Sequence, residues 1–133
     1  YKSVPVCRGE TTSNATIKWW IRKIKGLTEE DDTKIGLSEI TSMPSAEKTI
    51  DKCHIEFQTA EAGLCGHSLE EAIRNVNRTY FELSDDLTED DLEFSGKSKT
   101  DFALKLIYEC SDYTIPAYIK AGLVWLNDQK VLE

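Results

Sequence analysis

The stretch at residues 100–126, TDFALKLIYECSDYTIPAYIKAGLVWL, decides how this chain is read. Two helix-length apolar segments are joined through Ser111 and Asp112. In the first, Phe102, Ala103, Leu106, Ile107 and Cys110 form one stripe, with Leu104 and Tyr108 on the other side. Thr114, with Pro116 near the first helical position, opens the second. It carries Tyr118, Ile119, Leu123, Trp125 and Leu126, and its one charge before Asp128 is Lys120. A helix apolar nearly all round belongs in the middle of a bundle.

Working outward from that pair, helix signals recur along the chain. Ile17, Trp20, Ile21 and Ile24 form a stripe over a helix from about Asn14 to Lys25, which Gly26 is placed to stop. Thr28 and Asp31 start a second in the manner of a capping box, with Leu27 as a staple; it ends before Pro44. Ser45 caps a third, with Ile50, Cys53 and Phe57 inward and Gly63 at its end. Ser68 and Glu71 form a capping box for a fourth, whose inner face is Leu69, Ala72, Ile73, Val76, Tyr80 and Leu83. A short acidic helix covers roughly residues 86–94. The expectation is an all-α, disulfide-stapled bundle of about six to seven helices, one domain over residues 1–133, with residues 1–12 an extended arm tethered by Cys7.

The four cysteines, Cys7, Cys53, Cys65 and Cys110, include no CxxC pair, so neither a structural zinc site nor thioredoxin-like chemistry fits them. An even count with wide spacing predicts two bridges and an oxidising compartment. Cys53 well inside the third helix lies far from Cys65 beyond its end, which makes that pairing the least favoured of the three connectivities. The pairs Cys7–Cys65 and Cys53–Cys110 are preferred; Cys7–Cys53 with Cys65–Cys110 is the alternative. The chain begins at Tyr1 rather than Met and holds two sequons, at Asn14 and Asn77, which agrees with a secreted glycoprotein. No stretch has the length of a membrane span.

With 16 basic and 24 acidic residues the net charge is −8, which opposes nucleic-acid binding. The two histidines, His54 and His67, sit in no hydrolytic or metal-binding motif, so the expectation is a protein with no catalytic residues, no metal and no cofactor. Two surfaces stand out for partner binding. On the first helix Trp19 falls opposite the apolar stripe, among Lys18, Arg22 and Lys23, where an indole is costly to leave exposed and well suited to anchoring a partner. Between Asp85 and Glu93 the acids Asp85, Asp86, Asp90 and Asp91 accumulate with no base, a surface suited to a basic partner. A second functional class is open: Tyr80, Phe102, Tyr108, Tyr118 and Trp125 could line a cavity for a small apolar or amine ligand.

In size, cysteine number and helix content the whole chain resembles the small all-helical salivary inhibitors of blood-feeding mosquitoes, of the anophensin/albicin type. That resemblance implies a secreted inhibitor of a host complement, contact-activation or coagulation complex, binding a protease or complement assembly without turnover. It carries over no site residues. The insect odorant-binding carriers are similar in format, but the 45-, 11- and 44-residue gaps between the cysteines depart from their pattern.

Overall fold

Asn14 begins the first helix by lending its side-chain oxygen to the backbone N–H groups of Thr16 and Ile17, at 3.0 and 3.1 Å. The resulting α1 (Ala15–Lys25) ends at Gly26, whose φ of +64° is the left-handed conformation glycine adopts without strain. The computed structural model describes residues 12, 14–34, 36–66, 68–88, 90–94, 99–109 and 111–129. Cys7, His67 and Cys110 lie outside the described residues, as does the expected N-terminal arm except Thr12, which is buried. The apolar stripe of α1 drives one core: Ile17, Trp20 and Ile21 pack with Ile40, Met43, Ile55 and Phe57. Trp20 also donates its indole N–H to the Glu47 carbonyl at 2.8 Å.

The second and third expected helices are corrected. Thr28 and Asp31 do form their box, with the Asp31 carboxylate accepting from both the N–H and the hydroxyl of Thr28. The box leads into a 3₁₀ turn over Glu29–Lys34 and then a short α2 (Leu37–Thr41). Four consecutive acids offer no stripe to bury, and a helix without one does not propagate. From Ser45 the chain makes another 3₁₀ turn to Lys48 and then an antiparallel hairpin of β1 (Thr49–Ile50) and β2 (Cys53–His54). Thr49 pairs with His54 and Ile50 with Cys53, around Asp51 at φ +52°. Past β2, Ile55 and Phe57 are buried while His54, Glu56 and Gln58 are half-buried. That is a period of two, and β-branched Thr49, Ile50 and Ile55 suit extended chain.

The helix α3 (Leu69–Val76) starts at the expected cap, Ser68, whose hydroxyl accepts from the Glu71 N–H. It stops earlier than expected, and its inward face is largely polar: Glu70, Glu71 and Asn75 are buried with Ala72 and Ile73, whereas Leu69 is exposed. Residues 74–78 then supply donors to the irregular chain around them. Arg74 bonds the carbonyls of Leu92 and Glu93 at 2.6 and 3.0 Å; Asn75 bonds those of Glu61 and Leu64. Arg78 bonds the carbonyls of Ala62 and Asp85. Asn77 reaches the Thr114 backbone in both directions, donating to its carbonyl at 2.9 Å and accepting from its N–H at 2.6 Å. Buried backbone outside helices and sheets must find partners, and here side chains on and just past one helix provide them. Gly66 lies so close under α3 that a Cβ there would sit 2.7 Å from the Ala72 nitrogen.

Burial alone would raise the Glu70 carboxyl; its own backbone N–H, the Lys99 ammonium 3.1 Å away and the Ser68 hydroxyl outweigh that and hold it below the ordinary 4.5. A carboxylate depressed in the folded state contributes stability that is complete above its unfolded value and lost as the pH falls through the folded one. Glu70→Gln therefore removes part of the loss of stability seen below pH 4.5 while lowering stability at neutral pH, as thermal melts across that range would register.

The last two helices stand where the sequence puts them, as α4 (Lys99–Glu109) and α5 (Ala117–Gln129). Phe102 and Leu106 of α4 enter a second core with Ile73, Phe81 and Phe94, with Phe81 and Phe102 stacked at 5.5 Å. α5 does not occupy the middle of a bundle. Its first N–H, on Ala117, donates to the Glu61 carboxylate, and Tyr118, Gly122 and Trp125 lie along the hairpin side. None of its residues is fully buried.

The fold expectation is thus overturned. Among the described residues there are five α-helices and a two-stranded sheet, with two small hydrophobic cores, the second of which includes Ile73 of α3. Among the described residues, neither Cys53, on the exposed hairpin, nor Cys65, buried, forms a disulfide. Each expected pairing needed one of them, so none of the expected bridges forms.

Candidate functional site

The Schellman-type turn after α1 builds an open recess. Gly26 and Leu27 both donate to the Arg22 carbonyl, which reverses the chain and brings Leu27, Thr28 and Glu29 back beside the last turn of the helix. Trp19, Arg22 and Lys23 complete an open cleft of about 410 Å³. Trp19 leans edge-on against Trp20, ring centroids 6.0 Å apart, and keeps 48% of its surface exposed. The Lys23 ammonium stands 5.7 Å over the Trp19 ring. Arg22 pairs with Glu29 at 3.3 Å across the cleft.

Of the four residues expected on this face, Trp19, Arg22 and Lys23 line the cleft; Lys18 is half-buried on the neighbouring side of α1. Sequence reading missed Leu27, Thr28 and Glu29, which it assigned to the start of the next helix. The signal was present: a glycine closing a helix turns the next two residues back onto its last turn.

The acidic stretch has a different construction. Among its described residues only Asp90–Leu92 is helical, as a 3₁₀ turn, because Leu87 and Leu92 turn inward and Arg74 holds the backbone carbonyls. Asp85, Asp86, Asp90 and Asp91 remain exposed. Asp91 accepts from the Thr88 N–H and hydroxyl, and those two bonds, the backbone one first, hold its carboxyl below the ordinary value. It closes a turn, whereas the other three present charge to solvent.

The two sequons differ as sharply. Asn14 is exposed and caps α1 through its oxygen, leaving the amide nitrogen outward of that bond. The Asn77 nitrogen, the atom a glycan would take, donates to Ile73 and Thr114 in a site 9% exposed. The aromatic residues considered for a cavity do not converge. Phe102 is in the second core, Tyr108 is exposed, Tyr118 accepts from Gln58, and Trp125 stacks on His54 at 4.7 Å. His54 itself contacts Thr49 and Glu56 through its two ring nitrogens.

No known protein family, no curated protein and no solved structure matches this chain. Among the described residues no His, Cys, Asp or Glu cluster is gathered to hold a metal ion, and no helix is long and apolar enough to cross a membrane.

Proposed function

We propose that this chain is a secreted, non-enzymatic binding protein whose Trp19 cleft seats an acidic segment of an extracellular protein. In this reading it inhibits a host protease or complement complex by occupying one of its surfaces. The observation that carries the proposal is a half-exposed indole beneath the Lys23 ammonium, lining an open recess together with Leu27. Tryptophan in such a setting offers a large rigid contact area, and adjacent cations select an acidic partner. On a chain of net charge −8, a local basic rim is a selective feature. An open cleft suits a protruding side chain of a protein partner, whereas a carrier surrounds its ligand. With no disulfide at Cys53 or Cys65, the bridge argument for secretion is withdrawn, and the exposed Asn14 sequon is the support that remains.

The test is capture from plasma by biotinylated protein, with mass spectrometry of the retained material. The expected result is an intact protein partner whose recovery falls about tenfold with Lys23→Glu, which reverses one charge at the rim. Retention of no plasma protein, or equal recovery by Lys23→Glu, would contradict the proposal.

A further inference from the structure

We propose that Asn14 is the N-glycosylation site of this chain and that the second sequon, at Asn77, stays unmodified in the folded protein. The inference rests on the reading of the chain as secreted, because only exported chains meet the membrane-bound transferase. Asn14-Ala15-Thr16 and Asn77-Arg78-Thr79 satisfy the same pattern, so the sequence alone does not separate them. Their surroundings do. Asn14, Ala15 and Thr16 are all exposed. The cap of α1 uses only the Asn14 side-chain oxygen, which accepts from the Thr16 and Ile17 N–H groups. In the transfer, the Asn14 nitrogen attacks the anomeric carbon of an oligosaccharide carried on a lipid diphosphate. A C–N bond forms, the sugar–phosphate bond breaks, and the lipid diphosphate leaves with its electron pair. The nitrogen passes one proton to the transferase and the amide oxygen is untouched. Cap and glycan therefore coexist on one residue.

At Asn77 the nitrogen itself is structural. It donates to the Ile73 carbonyl at 2.7 Å and to the Thr114 carbonyl at 2.9 Å, while the oxygen accepts from the Thr114 N–H at 2.6 Å. A glycan replaces one of the two N–H bonds of the amide, so one of those carbonyls loses its donor. The sugar would also have to fit a site 9% exposed, between the end of α3 and the entry of α5. A chain modified there does not reach this fold. The Asn14 glycan stands at the first turn of α1, whereas Arg22 and Lys23 of the Trp19 cleft are in its last.

Expression of the full chain behind an added export signal in cultured animal cells tests the proposal. Peptide mass spectrometry before and after enzymatic removal of N-glycans reads each sequon, and circular dichroism confirms that the secreted variants are folded. The expected result is one glycan per secreted molecule, at Asn14. Thr16→Ala keeps the Asn14 cap but removes the sequon, and its product is expected to lose the whole glycan mass. Thr79→Ala is expected to leave the glycan unchanged. Secreted, folded protein with a glycan at Asn77 would overturn the assignment, as would Asn14 unmodified in most molecules, secreted or retained. Because the export signal is supplied, either result strikes the site alone, and the plasma capture still decides the reading of the chain as a secreted binder.

Discussion

Replacing Trp20 with alanine lowers the free energy of unfolding by about 4 kcal/mol, the range measured for aromatic truncation in a packed core. For a chain of this length the melting temperature falls by roughly 15 °C. Trp20 is 3% exposed, at the centre of the core formed by α1, α2 and the chain after the hairpin. Its indole N–H is also the bond that pins the Glu47 carbonyl ahead of β1. Trp20→Phe keeps most of the packing and loses that bond, so about 1–2 kcal/mol is expected. The adjacent Trp19→Ala is the control: a half-exposed ring loses its edge contact with Trp20, at a cost of about 1 kcal/mol. Denaturant titration of the three variants gives the comparison. Equal destabilisation by Trp19→Ala and Trp20→Ala would mean that the two indoles are not divided between surface and core.

Asn77→Ala is expected to cost about 3 kcal/mol, more than its volume explains, because it leaves several backbone groups without their partner. The side chain is 9% exposed and serves the Thr114 N–H, the Thr114 carbonyl and the Ile73 carbonyl together. It ties the end of α3 to the entry of α5. Asn77→Asp separates the two roles: it keeps the acceptor toward Thr114 N–H but sets a carboxylate against two carbonyls. Its deficit should be largest at neutral pH and shrink on acidification, as protonation lets the group donate again. Thermal melts of the wild-type protein and both variants at neutral and acid pH check this. A loss below about 1 kcal/mol for Asn77→Ala would mean that these bonds do not hold the end of α3 to the entry of α5.

Where the chain follows one strong local rule, the sequence was readable. The Ser68 cap, the stop at Gly26, the buried stripe of α1 and the two C-terminal helices all stand where spacing and capping chemistry place them. The hairpin was misread because Ile50, Cys53 and Phe57 satisfy a helical period while Ile55 and Phe57 satisfy a strand period over the same residues. The early end of α3 depends on Asn77 bonding Thr114, thirty-seven residues away, which no local pattern contains. The bundle was inferred from the apolar character of α5, yet apolar composition states only that surface is available for burial. In the folded chain α5 covers the hairpin with one side and leaves Leu123, Val124 and Leu126 exposed. The Trp19 face was visible from helical angles alone, whereas the cleft required the reversal at Gly26.

In the proposed function Trp19 anchors a protein partner, while Trp20 holds the fold. The most direct measurement is the affinity of wild-type and Trp19→Ala protein for the partner captured from plasma, by biolayer interferometry on folded samples. The account predicts binding at least about 30-fold weaker for Trp19→Ala, equivalent to roughly 2 kcal/mol at a single anchor. Affinities that agree within about twofold would place the binding surface elsewhere on the molecule.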